Sequence, residues 1–131
     1  MTPADSPHKS KGGIARLFKA LRYSAQGLAA AYRHEAAFRQ ELLLIVILAP
    51  LSIWLGRSLA EVLLLLGSLV LLLVVELLNS ALETVADAVT LEDHPLIGRA
   101  KDLGSAAVML MLVMVAAIWI SVIVSRFAGG L

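Results

Sequence analysis

The feature that most constrains the fold of this chain is a run of uncharged residues, Val62 to Val75, that leads directly into the stretch VELLNSALETVADAV. An apolar run of this kind, with its flanks, is long enough to form a membrane-spanning helix. No Pro or Gly interrupts the sequence between Ser68 and Val89. We therefore predict one helix from about Val62 to Val89, which at about 1.5 Å per residue is longer than a bilayer is thick.

Two further hydrophobic blocks indicate an all-α membrane protein with three transmembrane helices. Hydrophobic residues make up 60% of the chain and charged residues only 16%, more apolar material than a soluble core of this size needs. The spans are predicted at about residues 36–55, 62–89 and 105–124, with the turn GRSLAE and the loop TLEDHPLIGRAKD between them. Because the chain has no cysteine, disulfides, zinc–thiolate sites and thiol catalysis are excluded.

The segment before the first span is predicted to be an amphipathic helix, residues 14–34, that lies on the membrane surface. Its apolar residues recur at helical spacing on one stripe and its basic residues fall elsewhere. A helix packed on a soluble core would show the same pattern, but the three hydrophobic blocks downstream favour the membrane. Residues 1–13 are predicted to be a mobile tail, and residues 14–131 a single membrane-embedded domain.

The distribution of basic residues predicts the orientation in the membrane. Of the 11 Lys and Arg residues, only Arg57 and Arg126 lie outside the N-terminal region and the second loop. By the positive-inside rule, the N-terminus and the second loop are cytoplasmic. Trp54 and Trp119 are then predicted to anchor the helices at the outer interface.

The polar residues of the second span form a ladder along one side of the predicted helix. Glu76, Asn79, Glu83 and Asp87 occupy an arc of about 80° at 100° per residue. Ionisable groups at membrane depth are costly, so a functional role is the default hypothesis for them. Asn79 and Ser80 could instead simply hydrogen-bond a neighbouring helix.

Glu35 and Glu41 of the first span and Lys101 and Asp102 before the third span are expected at the same cytoplasmic boundary. Carboxylates without His or Cys suit Mg²⁺, which takes phosphate oxygens as further ligands. A carboxylate at the edge of the hydrocarbon is a candidate general base for a lipid hydroxyl. These are parts for phosphoryl transfer at the membrane surface, although none of the soluble ATP-site motifs GxxxxGK[ST], HRD or DFG occurs.

Three segments resemble the prokaryotic diacylglycerol kinase family of small integral membrane enzymes: EAAFRQE (residues 35–41), VELLNSALETVADAV (residues 75–89) and GRAKDLGSAAV (residues 98–108). The resemblance runs from about Arg16 to the end of the third span. It implies a homotrimer in the bacterial inner (cytoplasmic) membrane, with the active site facing the cytoplasm. It also implies phosphorylation of diacylglycerol by ATP with Mg²⁺, giving phosphatidic acid. The expected partners are therefore membrane lipid, ATP and other copies of the chain, and no nucleic acid.

The same resemblance implies roles for individual residues. Glu76 matches the general base, Glu35 and Glu83 match the metal-binding carboxylates, and Asn79 matches the supporting asparagine of the motif. The residues implied to bind nucleotide are Arg16, Tyr23, Glu35, Glu83, Glu92, Asp93, His94, Lys101 and Asp102. The residues implied to bind the lipid substrate are Arg16, Phe38, Arg39, Gln40, Glu41, Glu76 and Ser105. The match of Glu92, Asp93 and His94 is one of position only, and a plain solvated loop is an equal interpretation for them.

Three alternatives to this function remain at the level of sequence. Related enzymes phosphorylate undecaprenol, but FRQE (residues 38–41) and KDLGS (residues 101–105) resemble the diacylglycerol branch. Ala25 and Gln26 depart from the family, which often has an aromatic residue between Ser24 and Gly27.

A proton-coupled transporter would also carry an intramembrane Glu, but nearer the midplane. A non-catalytic scaffold would have no use for the ladder.

Overall fold

The computed structural model describes residues 12–129, and these form helices without any strand. The two compact units of the chain meet in sequence between His34 and Glu35. The helices are α1 (Gly13–His34), α2 (Ala36–Leu55), α3 (Leu59–Val89) and α4 (Pro95–Phe127). Helices α2, α3 and α4 are each long and apolar enough to cross a membrane, which confirms the predicted class of an all-α protein with three candidate spans.

The first unit consists of helix α1, within one residue of the helix predicted at 14–34. It is preceded by Gly12 at φ 101°, a left-handed conformation that favours glycine, and the carbonyl of Gly12 accepts a hydrogen bond from the Arg16 amide at 3.1 Å. The predicted mobile tail, residues 1–13, lies outside the described residues apart from Gly12 and Gly13. The position of α1 on a membrane surface stays a prediction.

In the second unit, helices α2 and α3 are joined by only three residues, Gly56 to Ser58. The predicted turn GRSLAE is longer, because Leu59 to Glu61 already belong to α3. The Ser58 hydroxyl accepts a hydrogen bond from the Glu61 amide at 3.2 Å and so caps the new helix. A side chain at Gly56 would collide with Val62, so the tight connection requires glycine.

The core of the second unit is a seam between α3 and α4, to which α2 adds a smaller contact. Leu65, Leu69 and Leu72 of α3 are completely buried. Their spacing of four and three residues keeps them on one face of the helix. The remaining buried members of the cluster are Leu55, Met111, Val115, Trp119 and Val122.

One of the two tryptophans is not where the sequence predicted it. Trp54 is 58% exposed, close to Phe127 and under the Arg126 guanidinium, as expected of an interfacial residue. Trp119 is only 6% exposed and belongs to the core cluster. The prediction of an interfacial anchor is therefore wrong for Trp119, because its helical register places it on the face of α4 that packs on α3.

The connection between α3 and α4 is also shorter than the predicted loop TLEDHPLIGRAKD. Helix α4 begins at Pro95, so the second part of the predicted loop, up to Asp102, already belongs to this helix. Proline is well suited to the first turn of a helix, where its missing N–H is not needed. The His94 side chain caps the helix by accepting a hydrogen bond from the Leu96 amide at 3.2 Å. As a consequence, Lys101 and Asp102 lie on a helix and not in a loop.

Candidate active site

The polar ladder of α3 is the direct continuation of its buried leucine stripe. The spacing of Leu65, Leu69 and Leu72 continues to Glu76, which lies four residues further along. Glu76 is only 5% exposed, so its carboxyl points into the helix packing and not towards lipid. Glu83, two turns further, is half-buried. The helix therefore uses one face first for the core and then for carboxylates.

Helix α2 brings a second carboxyl to Glu76. The carboxyl groups of Glu41 and Glu76 lie next to each other at hydrogen-bonding range, and Glu76 also interacts electrostatically with Glu83 and Glu35. Glu35 stands at the N-cap position of α2, but its side chain makes no capping hydrogen bond. Oε2 of Glu41 is buried without a hydrogen-bond partner among the described residues. Two carboxyls can hydrogen-bond each other only when they share a proton, so the group of Glu35, Glu41, Glu76 and Glu83 carries fewer than four negative charges. The region is still acidic and favours cations.

Lys101 of α4 supplies a positive charge near this region. Its Nζ lies 2.6 Å from Oδ1 of Asp87, the last member of the ladder, and it also interacts electrostatically with Glu83. The ion pair joins the polar ends of α3 and α4. The sequence analysis placed Asp87 on the same arc as Glu76 but assigned it no specific role in the site, and the ion pair with Lys101 was not predicted.

A surface groove of about 380 Å³ adjoins Lys101. It is lined by the connection between α3 and α4 and by the first turns of α4. Four residues that were predicted to bind nucleotide contribute to it: Glu92, Asp93, His94 and Lys101. The structure thus brings the predicted loop and the predicted lysine together at one concave surface.

The other predicted site residues are distributed over α1, α2 and α4. Phe38 on α2 is buried at 3% exposure, whereas its neighbours Arg39 and Gln40 are exposed. Asp102 and Ser105 are exposed on α4. Both residues predicted on α1, Arg16 and Tyr23, have exposed side chains.

The donor set at the carboxylates fits a hard divalent cation that shares its coordination with a ligand. Within residues 12–129, no group of three or more His, Cys, Asp or Glu side chains is arranged to hold a metal ion. Mg²⁺ is commonly bound by one or two carboxylates together with phosphate oxygens and water. Glu35 and Glu83 are two carboxylates that both interact electrostatically with Glu76, and they are the candidates for such a site.

Comparison with known proteins gives a consistent family. The model of the family described as Prokaryotic diacylglycerol kinase matches residues 22–123. The chain is 46% identical over 107 residues to the diacylglycerol kinase of Haemophilus influenzae, covering 82% of this chain and 91% of that protein. It is 45% identical over 118 residues to the diacylglycerol kinase of Pseudomonas aeruginosa, covering 90% and 96%. Against the diacylglycerol kinase of Escherichia coli K12 the identity is 42% over 115 residues, covering 88% and 94%.

Proposed function

The chain belongs to the prokaryotic diacylglycerol kinase family, and from that premise we propose that it transfers the γ-phosphoryl group of ATP directly to diacylglycerol, with Glu76 as the general base. It is a diacylglycerol kinase, a phosphotransferase of lipid metabolism with transmembrane helices. The observation that carries the assignment of Glu76 is its burial on the inward face of α3, where the apolar core ends and the carboxylates begin.

The proposed reaction places the lipid hydroxyl at Glu76. Glu76 accepts the hydroxyl proton while the hydroxyl oxygen forms a bond to the γ-phosphorus of ATP. The bond from that phosphorus to the bridging oxygen breaks, and ADP leaves with the electron pair. General base catalysis of this kind contributes on the order of 10²–10⁴-fold to the rate. Glu41, whose carboxyl adjoins that of Glu76, is assigned to binding the same hydroxyl.

A position at the end of the apolar core suits this chemistry because the two substrates come from different solvents. The acyl chains of diacylglycerol stay in hydrocarbon, whereas ATP arrives from water. Helix α3 has 31 residues, about 46 Å at 1.5 Å per residue, and so extends beyond the hydrocarbon layer of about 30 Å. One unbroken helix can therefore present a base to the lipid and further carboxylates to the nucleotide.

Glu35 and Glu83 are the residues proposed to hold Mg²⁺, which when bound supplies positive charge to the β- and γ-phosphate oxygens. Lys101 is proposed to bind phosphate. The groove beside it is proposed to receive the nucleotide through Glu92, Asp93 and His94. Asp102, which follows Lys101 on α4, is proposed to bind nucleotide as well. Asn79 is assigned as a supporting residue between the carboxylates. For Phe38, Arg39, Gln40 and Ser105, and for Arg16 and Tyr23 of α1, the roles implied by the resemblance stay predictions.

We further propose that the protein is a homotrimer in the bacterial inner membrane, with its active site on the cytoplasmic side. The excess of Lys and Arg in the N-terminal region and in the first turns of α4 supports this orientation. The groove proposed to receive nucleotide lies at the α3–α4 connection and would then face cytoplasmic ATP.

The substrate is tested with purified protein in mixed micelles that contain diacylglycerol and undecaprenol in equal amounts. ATP labelled at the γ-phosphate is added with and without Mg²⁺, and the lipids are separated. Label is expected in phosphatidic acid only, and only with Mg²⁺. Label confined to the polyprenol would make the protein an undecaprenol kinase. Label in neither lipid would reject lipid phosphorylation and favour the alternative of a proton-coupled transporter.

A further inference from the structure

Gly104 of α4 faces the side chain of Asn79 on α3 at very close range. Gly104 is buried, and a Cβ atom at this position would overlap the Asn79 amide oxygen. The same Cβ would also be in ordinary contact, at 3.8 Å, with Leu82. The space that a side chain at residue 104 would fill is thus already occupied by the Asn79 amide.

Glycine is required here for space and not for backbone conformation. Among the described glycines only Gly12 and Gly129 have positive φ, so any residue could adopt the backbone of Gly104. Glycine is a poor helix former, and its presence inside α4 is a local disadvantage. At Gly67 of α3, by contrast, a Cβ would meet nothing within 4 Å. Of the two glycines Gly67 and Gly104, only Gly104 therefore has a neighbouring side chain, that of Asn79, that explains why the position is a glycine.

The amide that Gly104 accommodates belongs to a residue that lies between the proposed base and a proposed metal ligand along α3. Asn79 follows Glu76 by three residues and precedes Glu83 by four, on the same face of α3. Its Oδ1 is buried and has no hydrogen-bond partner among the described residues. No hydrogen bond to Oδ1 therefore fixes the amide, and its packing against Gly104 is one contact that limits where this oxygen can lie.

We propose that Gly104 is a positioning residue for phosphoryl transfer, because it leaves the space that keeps the Asn79 amide between Glu76 and Glu83. The inference rests on the proposed function and adds a residue to it. A methyl group at residue 104 pushes the Asn79 side chain aside, since one side chain rotates more easily than the packed α3–α4 seam shifts. Asn79 then leaves the space between base and metal carboxylates, while Lys101 keeps its place.

The kinetic test compares Gly104→Ala with the wild type and with Gly67→Ala as the matched control. Gly104→Ala is expected to lower kcat at least about tenfold, with the KM for ATP changed less than about twofold, at a temperature where both variants stay folded. Gly67→Ala should leave both constants unchanged. A Gly104→Ala enzyme with normal kcat, or one whose loss is entirely in the KM for ATP, would overturn the proposal.

A double-mutant cycle of melting temperatures tests the steric contact between Gly104 and Asn79 without measuring the reaction. Gly104→Ala should lower the Tm of the wild-type protein in detergent, but should leave unchanged or raise the Tm of the Asn79→Ala protein, in which the methyl group has room. Equal shifts in both backgrounds would show that Gly104 does not act through Asn79. Because this cycle needs no activity, it stands even if the wild type fails to phosphorylate diacylglycerol, which would reject the proposed function alone.

Discussion

Glu76 occupies a position that the packing of α3 would otherwise give to a leucine. It continues the stripe of Leu65, Leu69 and Leu72, all completely buried, and is itself 5% exposed. Burying a carboxyl costs several kcal/mol unless it is well compensated. A protein that needed only helix packing there would be more stable with an apolar side chain, so the cost of Glu76 is best explained by a function.

The role of Lys101 can be tested separately from its ion pair with Asp87. Lys101→Leu should raise the KM for ATP about 10- to 100-fold, because a charged hydrogen bond to phosphate contributes roughly 1.5–3 kcal/mol. Asp87→Asn is the control, since it removes the ion pair and leaves the lysine. Both partners are substantially exposed, and such pairs contribute only about 0–1 kcal/mol. Equal effects of the two substitutions on KM would mean that Lys101 acts through Asp87 and not on phosphate.

Helix α3 carries the packing leucines and the carboxylates on one face. Its first half contributes the leucines of the core, and its second half contributes Glu76, Glu83 and Asp87. Helix α4 follows the same course in the opposite direction, from Lys101 to the buried Trp119. The seam that stabilises the second unit therefore also fixes the relative positions of the charged groups.

The two carboxylates proposed to hold Mg²⁺ are tested by replacing each of them with neutral glutamine. Glu35→Gln and Glu83→Gln should each raise the Mg²⁺ concentration needed for half-maximal activity by about tenfold or more, since each removes one carboxylate from the metal. Glu61→Gln is the matched control, because Glu61 lies in the first turn of α3, at the end opposite to Glu83. The Glu61 carboxylate is paired with the Arg57 guanidinium, with 3.0 Å between the nitrogen and the oxygen. Mg²⁺ titrations of the Glu35 and Glu83 variants that overlay the wild-type curve would reject the assignment.

Much of this arrangement could be predicted from periodicity and spacing. Three candidate spans, the unbroken α3 and the common face of its polar residues all follow from local sequence. The start of α4 at Pro95 was missed because the polar residues of its first turns look like a loop. The approach of Glu41 to Glu76 and of Gly104 to Asn79 could not be predicted, since each depends on how two helices pack and not on spacing within one.

The second unit leaves large apolar surfaces uncovered on all three candidate spans. Leu43 and Val46 of α2, Leu63 of α3, and Leu110 and Val113 of α4 are each at least 59% exposed. In a bilayer such faces contact lipid or other subunits. Among the described residues, the groove beside Lys101 is lined only by the α3–α4 connection and the first turns of α4, so we propose that neighbouring subunits complete each site.

A shared site predicts complementation between inactive variants. Asn79→Ser and Asp102→Asn should each be nearly inactive alone, but oligomers assembled from both would contain some sites with both residues intact. Unfolding the two proteins together and reassembling them in detergent should recover a fraction of wild-type activity, while mixing the folded proteins should recover none. If reassembly of the mixture gives no more activity than the separate proteins, Asn79 and Asp102 of one site come from one chain.

The most direct test of general base catalysis by Glu76 is the turnover of purified Glu76→Gln with diacylglycerol and MgATP, measured together with its affinity for ATP. The substitution keeps the size and hydrogen-bonding capacity of the side chain but removes the base. Turnover is predicted to fall by on the order of 10²–10⁴-fold, with the Kd for ATP within about threefold of the wild type because the nucleotide groups are untouched. Turnover near the wild-type rate would contradict the assignment of Glu76 as the base.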